Sequence, residues 1–407
     1  MINDNIKSDN NKQKTQINRK KVMVVDDSAL MRRVACDIIE KDGRYEVADL
    51  CSDGQLAYDL LKAKSYDAVI MDIIMPRMTG LEVLEKLQAD GIQANVVVAS
   101  TLTTDNAKES IRALELGAVE IVAKPSNFIE ARGNDYHQSI IRALDVASSI
   151  KRTSTQKVSK PSSTTTATKN AVADAKDTVA IVKNLVSGIQ STTSEKKVVV
   201  DDKKLRQSHH MGASAKHKIV ALACSTGGPK ALQSVIPFLP ANLDAPVLVV
   251  QHMPEGFTEM MAKKLDGISK LHIKEAADGE PVRKGTVYIA PGGKHMNVVM
   301  VGPEARIKLS DEPLREGVKP CANYMYESLR SCSYDEITCV VLTGMGADGT
   351  AGIKALAQNN NIYCISQDAE TCVVYGMPKA IYEAGLVNEV VPLEDVVGAI
   401  VKNVGVK

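Results

Sequence analysis

An apolar run, Ile219, Val220, Ala221, Leu222 and Ala223, stops abruptly at Cys224-Ser225-Thr226-Gly227-Gly228-Pro229. Beyond it Ala231, Leu232, Val235 and Ile236 recur at helical spacing. This pattern predicts a buried strand, a tight turn and a helix. Two glycines let the backbone bend sharply, and Pro229 suits a first helical turn, where its missing N–H costs nothing. Ser225 is thereby placed at the carboxyl end of a strand, beside a helix N-terminus whose free N–H groups favour negative charge. Such a turn serves either as a nucleophile elbow, with Ala223 where G-x-S-x-G has its first glycine, or as a phosphate cradle. This stretch alone leaves both open.

The rest of the chain narrows the choice. At 407 residues, two or three domains are expected. The 50 basic and 49 acidic residues nearly cancel, which argues against bulk attraction to nucleic acid or to a membrane surface. Eight cysteines contain no C-x-x-C pair, which argues against a zinc site. The N-terminus is polar, without an apolar signal core, and no stretch is long enough to insert in a bilayer. A cytoplasmic protein with reduced thiols is the expectation. Residues 1–20 are polar and unpatterned and read as a disordered tail.

From Lys21 strand-like runs at 22–25, 68–71, 96–99 and 118–122 alternate with helical patterns at about 29–41, 54–64, 80–89, 104–116 and 135–148. Alternation of this kind predicts a parallel sheet covered on both faces, with working groups at the carboxyl ends of its strands. Those ends carry Asp26-Asp27, Asp72, Ser100 and Lys124-Pro125. Any one acidic residue there reads as a helix cap. Three carboxylates together repel one another and call for a divalent cation and a lysine, and a hard ion such as Mg²⁺ suits carboxylate, water and phosphate oxygens.

VMVVDDSALMRR, MDIIMPRMTG and VAKP resemble the receiver domain of two-component response regulators, over residues 21–146. The resemblance implies a flavodoxin-like fold with Asp72 as phosphoacceptor. It implies Mg²⁺ held by Asp27 and Asp72 with support from Asp26, and Ser100 and Lys124 contacting the phosphoryl group. Ile74 stands where such domains often carry an acidic residue, and Thr79 replaces a common aspartate before Gly80.

Residues 147–216 are rich in Ser, Thr, Lys and Asp, a linker composition too polar to build a core. Within it Val179, Val182, Leu185, Val186 and Ile189 recur at helical spacing, consistent with a short docking helix or a transient one. His209 and His210 have no further ligand at metal spacing. A second α/β domain is expected over 217–404, doubly wound and mostly parallel. Its strands are expected at 219–223, 246–251, 286–290, 339–343 and 361–366, its helices at about 229–238, 256–265, 321–331 and 349–358.

Three of its strand ends carry Ser225, His252 and Asp348. Nucleophilic catalysis by serine needs a base for its proton and a carboxylate to hold that base in the right tautomer. Singly, a histidine after a strand is a structural residue and an aspartate before glycine a turn former; together, at one sheet edge, they form a candidate triad. Cys224 is a rival nucleophile, but strand alternation points it away from Ser225. Donors for an oxyanion are available at Thr226–Gly227 and at the glycine-flanked backbone of Met345.

CSTGGPKAL, QHMPEGFT, APGGKHM, LTGMGADG and VVYGMPKA resemble, in order, the motifs of the chemotaxis receptor methylesterases, the protein-glutamate methylesterases. The resemblance implies hydrolysis of glutamate γ-methyl esters on methyl-accepting chemotaxis receptors, and deamidation of receptor glutamines. It makes Ser225 the nucleophile, His252 the base and Asp348 the orienting acid, with Thr226 and Met345 in the oxyanion region. His295 is expected near the site, with no catalytic role assigned to it. A chemotaxis histidine kinase would be the phosphodonor, the ester chemistry would need no metal, and a monomer is the default. Ala223-Cys224, where the family usually has Gly-Ala, adds bulk behind the serine. The alternatives are a receiver-controlled esterase or amidase with another substrate, and a non-enzymatic adaptor.

Overall fold

The computed structural model describes residues 19–101, 103–150 and 217–407. Most of the expected tail, the amphipathic stretch from Val179 to Ile189, and His209 and His210 lie outside the described residues.

The first sheet has five parallel strands, β1 (Lys20–Val25), β2 (Tyr45–Cys51), β3 (Ala68–Asp72), β4 (Val96–Ser100) and β5 (Glu120–Ala123), in the order β2-β1-β3-β4-β5. Helices α1 (Ala29–Asp42), α2 (Gly54–Ala63), α3 (Gly80–Ala89), α4 (Thr104–Glu115), α5 (Phe128–Ala131) and α6 (Asn134–Ala147) lie between and after them. β3 and β4 are buried along their whole length, so they read as continuous apolar runs. The apolar pattern of the sequence does not reveal β2. It is an edge strand of partly exposed residues, Tyr-Glu-Val-Ala-Asp-Leu-Cys, whose charges hide its period. Along β1, Val22 and Val24 pack in one core cluster and Met23 and Val25 in another, as a sheet covered on both faces requires.

The second sheet has seven parallel strands around β6 (Lys218–Cys224). The others are β7 (Val247–Gln251), β8 (His272–Glu275), β9 (Thr286–Ile289), β12 (Glu336–Val341), β13 (Ile362–Gln367) and β14 (Glu389–Val391), ordered β14-β13-β12-β6-β7-β9-β8. An antiparallel hairpin, β10 (His295–Val301) with β11 (Glu304–Ser310), stands apart from it. Helices α7 (Gly228–Val235), α8 (Phe257–Asp266), α9 (Ala322–Ser328), α10 (Thr350–Leu356), α11 (Met377–Glu383) and α12 (Val396–Val404) complete this half. The α/β class and the mostly parallel sheet agree with expectation. Strand β8, the hairpin, β14, α11 and α12 were not foreseen, because the strands among them are short or half exposed and so lack a long apolar run.

Along β6, Val220, Leu222 and Cys224 face one core cluster while Ile219, Ala221 and Ala223 face the other. The first cluster continues into Ala107 and Ile111 of α4 and Ile121 of β5, so the two sheets share a buried apolar contact. Burying side chains such as Ile111 and Ile121 favours that contact by roughly 1.5–3 kcal/mol each. Lys264 of α8 pairs with Glu115 at the end of α4 across the same boundary.

Candidate functional site

In the first sheet, β1, β3 and β5 deliver their ends to one place. Lys124 Nζ lies 2.6 Å from both Asp26 Oδ2 and Asp72 Oδ2. Asp26 and Asp72 are buried and Asp27 is exposed, and one carboxylate oxygen from each lies within 4.8 Å of the others. Three carboxylates opposite one ammonium leave excess negative charge, a donor set that fits a hard divalent cation. Burial pushes the Asp72 carboxyl above its usual range, against the pull of Lys124. Burial also pulls Lys124 down, but the carboxylates of Asp72 and Asp26 outweigh it and keep the ammonium charged. Ser100 is buried at the end of β4, paired in register with Ala123, one residue before Lys124.

In the second sheet, Ser225 follows β6, His252 follows β7, and Asp348 sits in the loop between β12 and α10. The three are 3%, 5% and 3% exposed, so all three are buried. His252 Nε2 lies 2.8 Å from Asp348 Oδ2. A carboxylate can only accept, so Nε2 carries the proton and Nδ1 is left as the basic nitrogen. Among the described residues no hydrogen bond joins Ser225 Oγ to that ring.

Asp348 is held by more than the histidine. Its Oδ1 accepts from Asn323 N–H at 2.9 Å, Gly349 N–H at 2.8 Å and the Cys321 thiol at 3.0 Å, and its Oδ2 accepts from Ala322 N–H at 2.6 Å. Burial raises the carboxyl, but the His252 bond and charge, the Cys321 bond and the backbone donors overcome it and hold the group at about 2. It is therefore ionised throughout the neutral range.

Gln251, the last residue of β7, ties Ser225 and His252 together. Its amide nitrogen donates to the carbonyls of Ser225 and His252, both at 3.0 Å, while its oxygen accepts from the Cys224 thiol at 3.0 Å. A side chain at Gly228 would collide with that oxygen, so the second glycine of the turn answers a close approach. Cys224 is fully buried and its thiol pushed well up by burial, which removes it as a nucleophile. Its side chain points to the opposite face from that of Ala223, into the core.

The two oxyanion candidates have different surroundings. The loop carrying Met345 abuts the serine: a Cβ on Gly344 would lie 2.8 Å from Ser225 Cβ, and Ser225 N–H bonds the Thr343 carbonyl at 3.0 Å. Thr226 donates its hydroxyl to Glu120 Oε2 of β5 at 2.6 Å. A cavity of about 590 Å³ beside His252 is lined from both halves, including Glu120, Arg142, Glu255 and Leu314.

Sequence reasoning missed Gln251, Glu120, Cys321 and Asn323. Gln251 stands next to His252 in QHMPEGFT. The others reach this region from β5 and from the start of α9, remote in sequence, and carry no local signal. No helix among the described residues is long and apolar enough to cross a membrane.

Residues 220–400 match the model of the CheB methylesterase family, and residues 22–132 match that of the response regulator receiver domain. A protein-glutamate methylesterase/protein-glutamine glutaminase of Geobacillus kaustophilus is 37% identical over 95% of this chain and 99% of its own length. One from Syntrophomonas wolfei is 36% identical over 93% of this chain and 97% of its own. Among solved structures, the Thermotoga maritima CheB methylesterase catalytic domain is 40% identical, covers 46% of this chain and 98% of its own, and superposes with a TM-score of 0.44.

Proposed function

Since the chain belongs to the protein-glutamate methylesterase/protein-glutamine glutaminase family, we propose that Ser225, His252 and Asp348 hydrolyse glutamate methyl esters on chemotaxis receptors under control of the phosphorylated receiver. The observation that carries this is the buried His252–Asp348 bond beside Ser225, all three at one sheet edge. The functional division is a receiver at 21–146, a tether at 147–216 and a catalytic domain at 217–404.

With Nε2–H bound to Asp348, His252 takes the Ser225 proton at Nδ1 as Oγ attacks the ester carbonyl. The developing oxyanion is received by backbone donors of the Met345 loop. The imidazolium returns its proton to the departing methoxide, methanol leaves, and water activated by the same nitrogen cleaves the acyl-enzyme to glutamate. With glutamine the leaving group is ammonia. Asp348 stays ionised and stabilises the imidazolium. None of these steps uses a metal.

Asp72 accepts the phosphoryl group from a chemotaxis histidine kinase, with Ser100 and Lys124 in contact with it. Mg²⁺ held by Asp26, Asp27 and Asp72 would neutralise charge on the phosphoryl oxygens. Gating is supported by the Glu120–Thr226 bond, one residue from the nucleophile. Glu120 begins β5 and Lys124 follows its end, so one strand links the phosphoryl site to the contact. Phosphorylation shifts the equilibrium toward a form in which Glu120 releases Thr226. The enzyme acts in the cytoplasm as a monomer.

The test is methanol release from methylated receptor by wild-type protein and by Ser225→Ala, each with and without a small-molecule phosphodonor and Mg²⁺. Release raised by the phosphodonor and abolished by the substitution is expected. No release from the wild type under either condition would end the receptor reading and leave another ester or amide, or an adaptor role.

A further inference from the structure

His295 and Cys321 take part in none of the steps above, yet both reach Asp348 through hydrogen bonds. His295 opens β10 and is fully buried, its ring 4.4 Å from that of Tyr324. Nε2 faces the Pro313 carbonyl at 3.1 Å, and Nδ1 faces the Cys321 N–H at 3.2 Å. A carbonyl only accepts and a backbone N–H only donates, so both bonds are satisfied by one state, the neutral ring protonated at Nε2. A proton on Nδ1 would set two donors against each other. Burial, and then Lys319, pull the ring toward neutrality against the Pro313 carbonyl and Glu312.

Cys321, whose backbone this ring holds, aims its thiol at Asp348 Oδ1. Burial and the adjacent carboxylate keep the thiol protonated, so it is a donor. The two residues after it supply the Ala322 and Asn323 N–H groups that grip the same carboxylate. Asn323 continues outward, accepting from Gly349 N–H at 3.1 Å and Gly352 N–H at 2.6 Å, which fixes the loop from which Asp348 projects.

We propose that His295 and Cys321 are positioning residues for the reaction: His295 fixes the backbone of Cys321, and the Cys321 thiol helps set the Asp348 carboxylate that orients His252. The contacts run in series, from Pro313 carbonyl to imidazole, to Cys321 N–H and thiol, to Asp348, to His252. The titratable groups facing Asp348 are His252 and Cys321, and those around His295 are Lys319, Glu312 and Tyr324. Misplacement of an orienting group acts on the chemical step, whereas substrate binding is untouched. The inference rests on the triad reading.

The experiment uses the full chain with phosphodonor and Mg²⁺, measuring kcat and KM for methanol release across pH. Cys321→Ala removes the sulfur and leaves the backbone donors. It should lower kcat by roughly tenfold with KM unchanged, as expected for losing a hydrogen bond that acts in the transition state. Because KM is unchanged, kcat/KM should fall by the same factor across the pH range. Cys321→Ser, which keeps a donor, should restore both. His295→Leu should repeat the loss, and His295→Asn, whose carbonyl oxygen can stand where Nδ1 stood, should recover most of it. If the leucine variant fails to fold, the cysteine pair decides alone. Wild-type kcat in Cys321→Ala, or a loss that serine does not relieve, would overturn the proposal. Ser225→Ala run alongside separates the two readings. An active Ser225→Ala overturns the triad and this proposal with it, whereas an inactive one beside a fully active Cys321→Ala overturns the positioning role alone.

Discussion

Asp72 and Asp348 are both buried aspartates near the carboxyl ends of parallel strands, and their acidities move in opposite directions. Asp72 is raised and Asp348 is lowered to about 2. Burial acts the same way on both, so it does not explain the difference. Donors do. Asp348 receives the His252 ring, a thiol and three backbone N–H groups, whereas Asp72 receives Lys124 and one long bond of 3.4 Å from Ile74 N–H. Asp72 also shares its lysine with Asp26, whose charge opposes its own. A carboxylate that must hold one orientation is saturated with donors. Asp72, with fewer donors, keeps oxygen free and an open demand for positive charge.

The largest test of this contrast removes the chemistry of one half and spares the other. Ser225→Ala should reduce methanol release by a factor on the order of 10³ or more, while labelling of Asp72 by the phosphodonor is unchanged. Loss of both would mean that the halves are not functionally separable as drawn.

Next in size is stability. Asp348→Ala strands buried backbone donors at Ala322, Asn323 and Gly349 and should cost about 3 kcal/mol in urea unfolding. Asp72→Ala relieves crowded carboxylates and leaves Lys124 paired with Asp26. It should change stability by less than about 1 kcal/mol. Equal losses at the two positions would break the comparison.

The pH dependence sharpens it further. Asp348 has a folded value of about 2 against 3.8 as the ordinary value, so its contribution is present above pH 3.8 and lost as pH falls through 2. That contribution is about 2 kcal/mol. Asp72, raised in the fold, has the opposite sign: its contribution is full below 3.8 and lost as pH rises through its folded value. Urea midpoints between pH 2 and pH 5 should therefore give a flatter curve for Asp348→Ala than for the wild type, and a steeper one for Asp72→Ala.

The smallest effect lies at the junction. Glu120→Gln weakens the bond to Thr226 and should raise methanol release without phosphodonor by about threefold, the scale of part of one hydrogen bond, with less change once phosphorylated. Basal activity equal to wild type would remove Glu120 from the gate.

Much of this was legible in the chain. Asp26, Asp27, Asp72, Ser100 and Lys124 could be placed together because parallel strands deliver their ends to one edge, and apolar runs reveal where such strands stop. The same rule brought Ser225, His252 and Asp348 to one region, and strand alternation puts Cys224 and Ala223 in opposite core clusters. Edge strand β2 and hairpin β10–β11 escaped, because half-exposed strands mix charged and apolar residues and lose a clear period.

Local pattern determined which residues end strands, because burial of a strand's length is written in consecutive side chains. The tertiary structure alone decided which nitrogen of His252 meets Asp348, that Gln251 holds the carbonyls of both Ser225 and His252, and that Glu120 reaches Thr226. It also decided that Cys321 and His295 stand behind the aspartate. These are hydrogen bonds between residues separated by up to 106 positions, and their geometry is set by how layers pack rather than by any run of sequence.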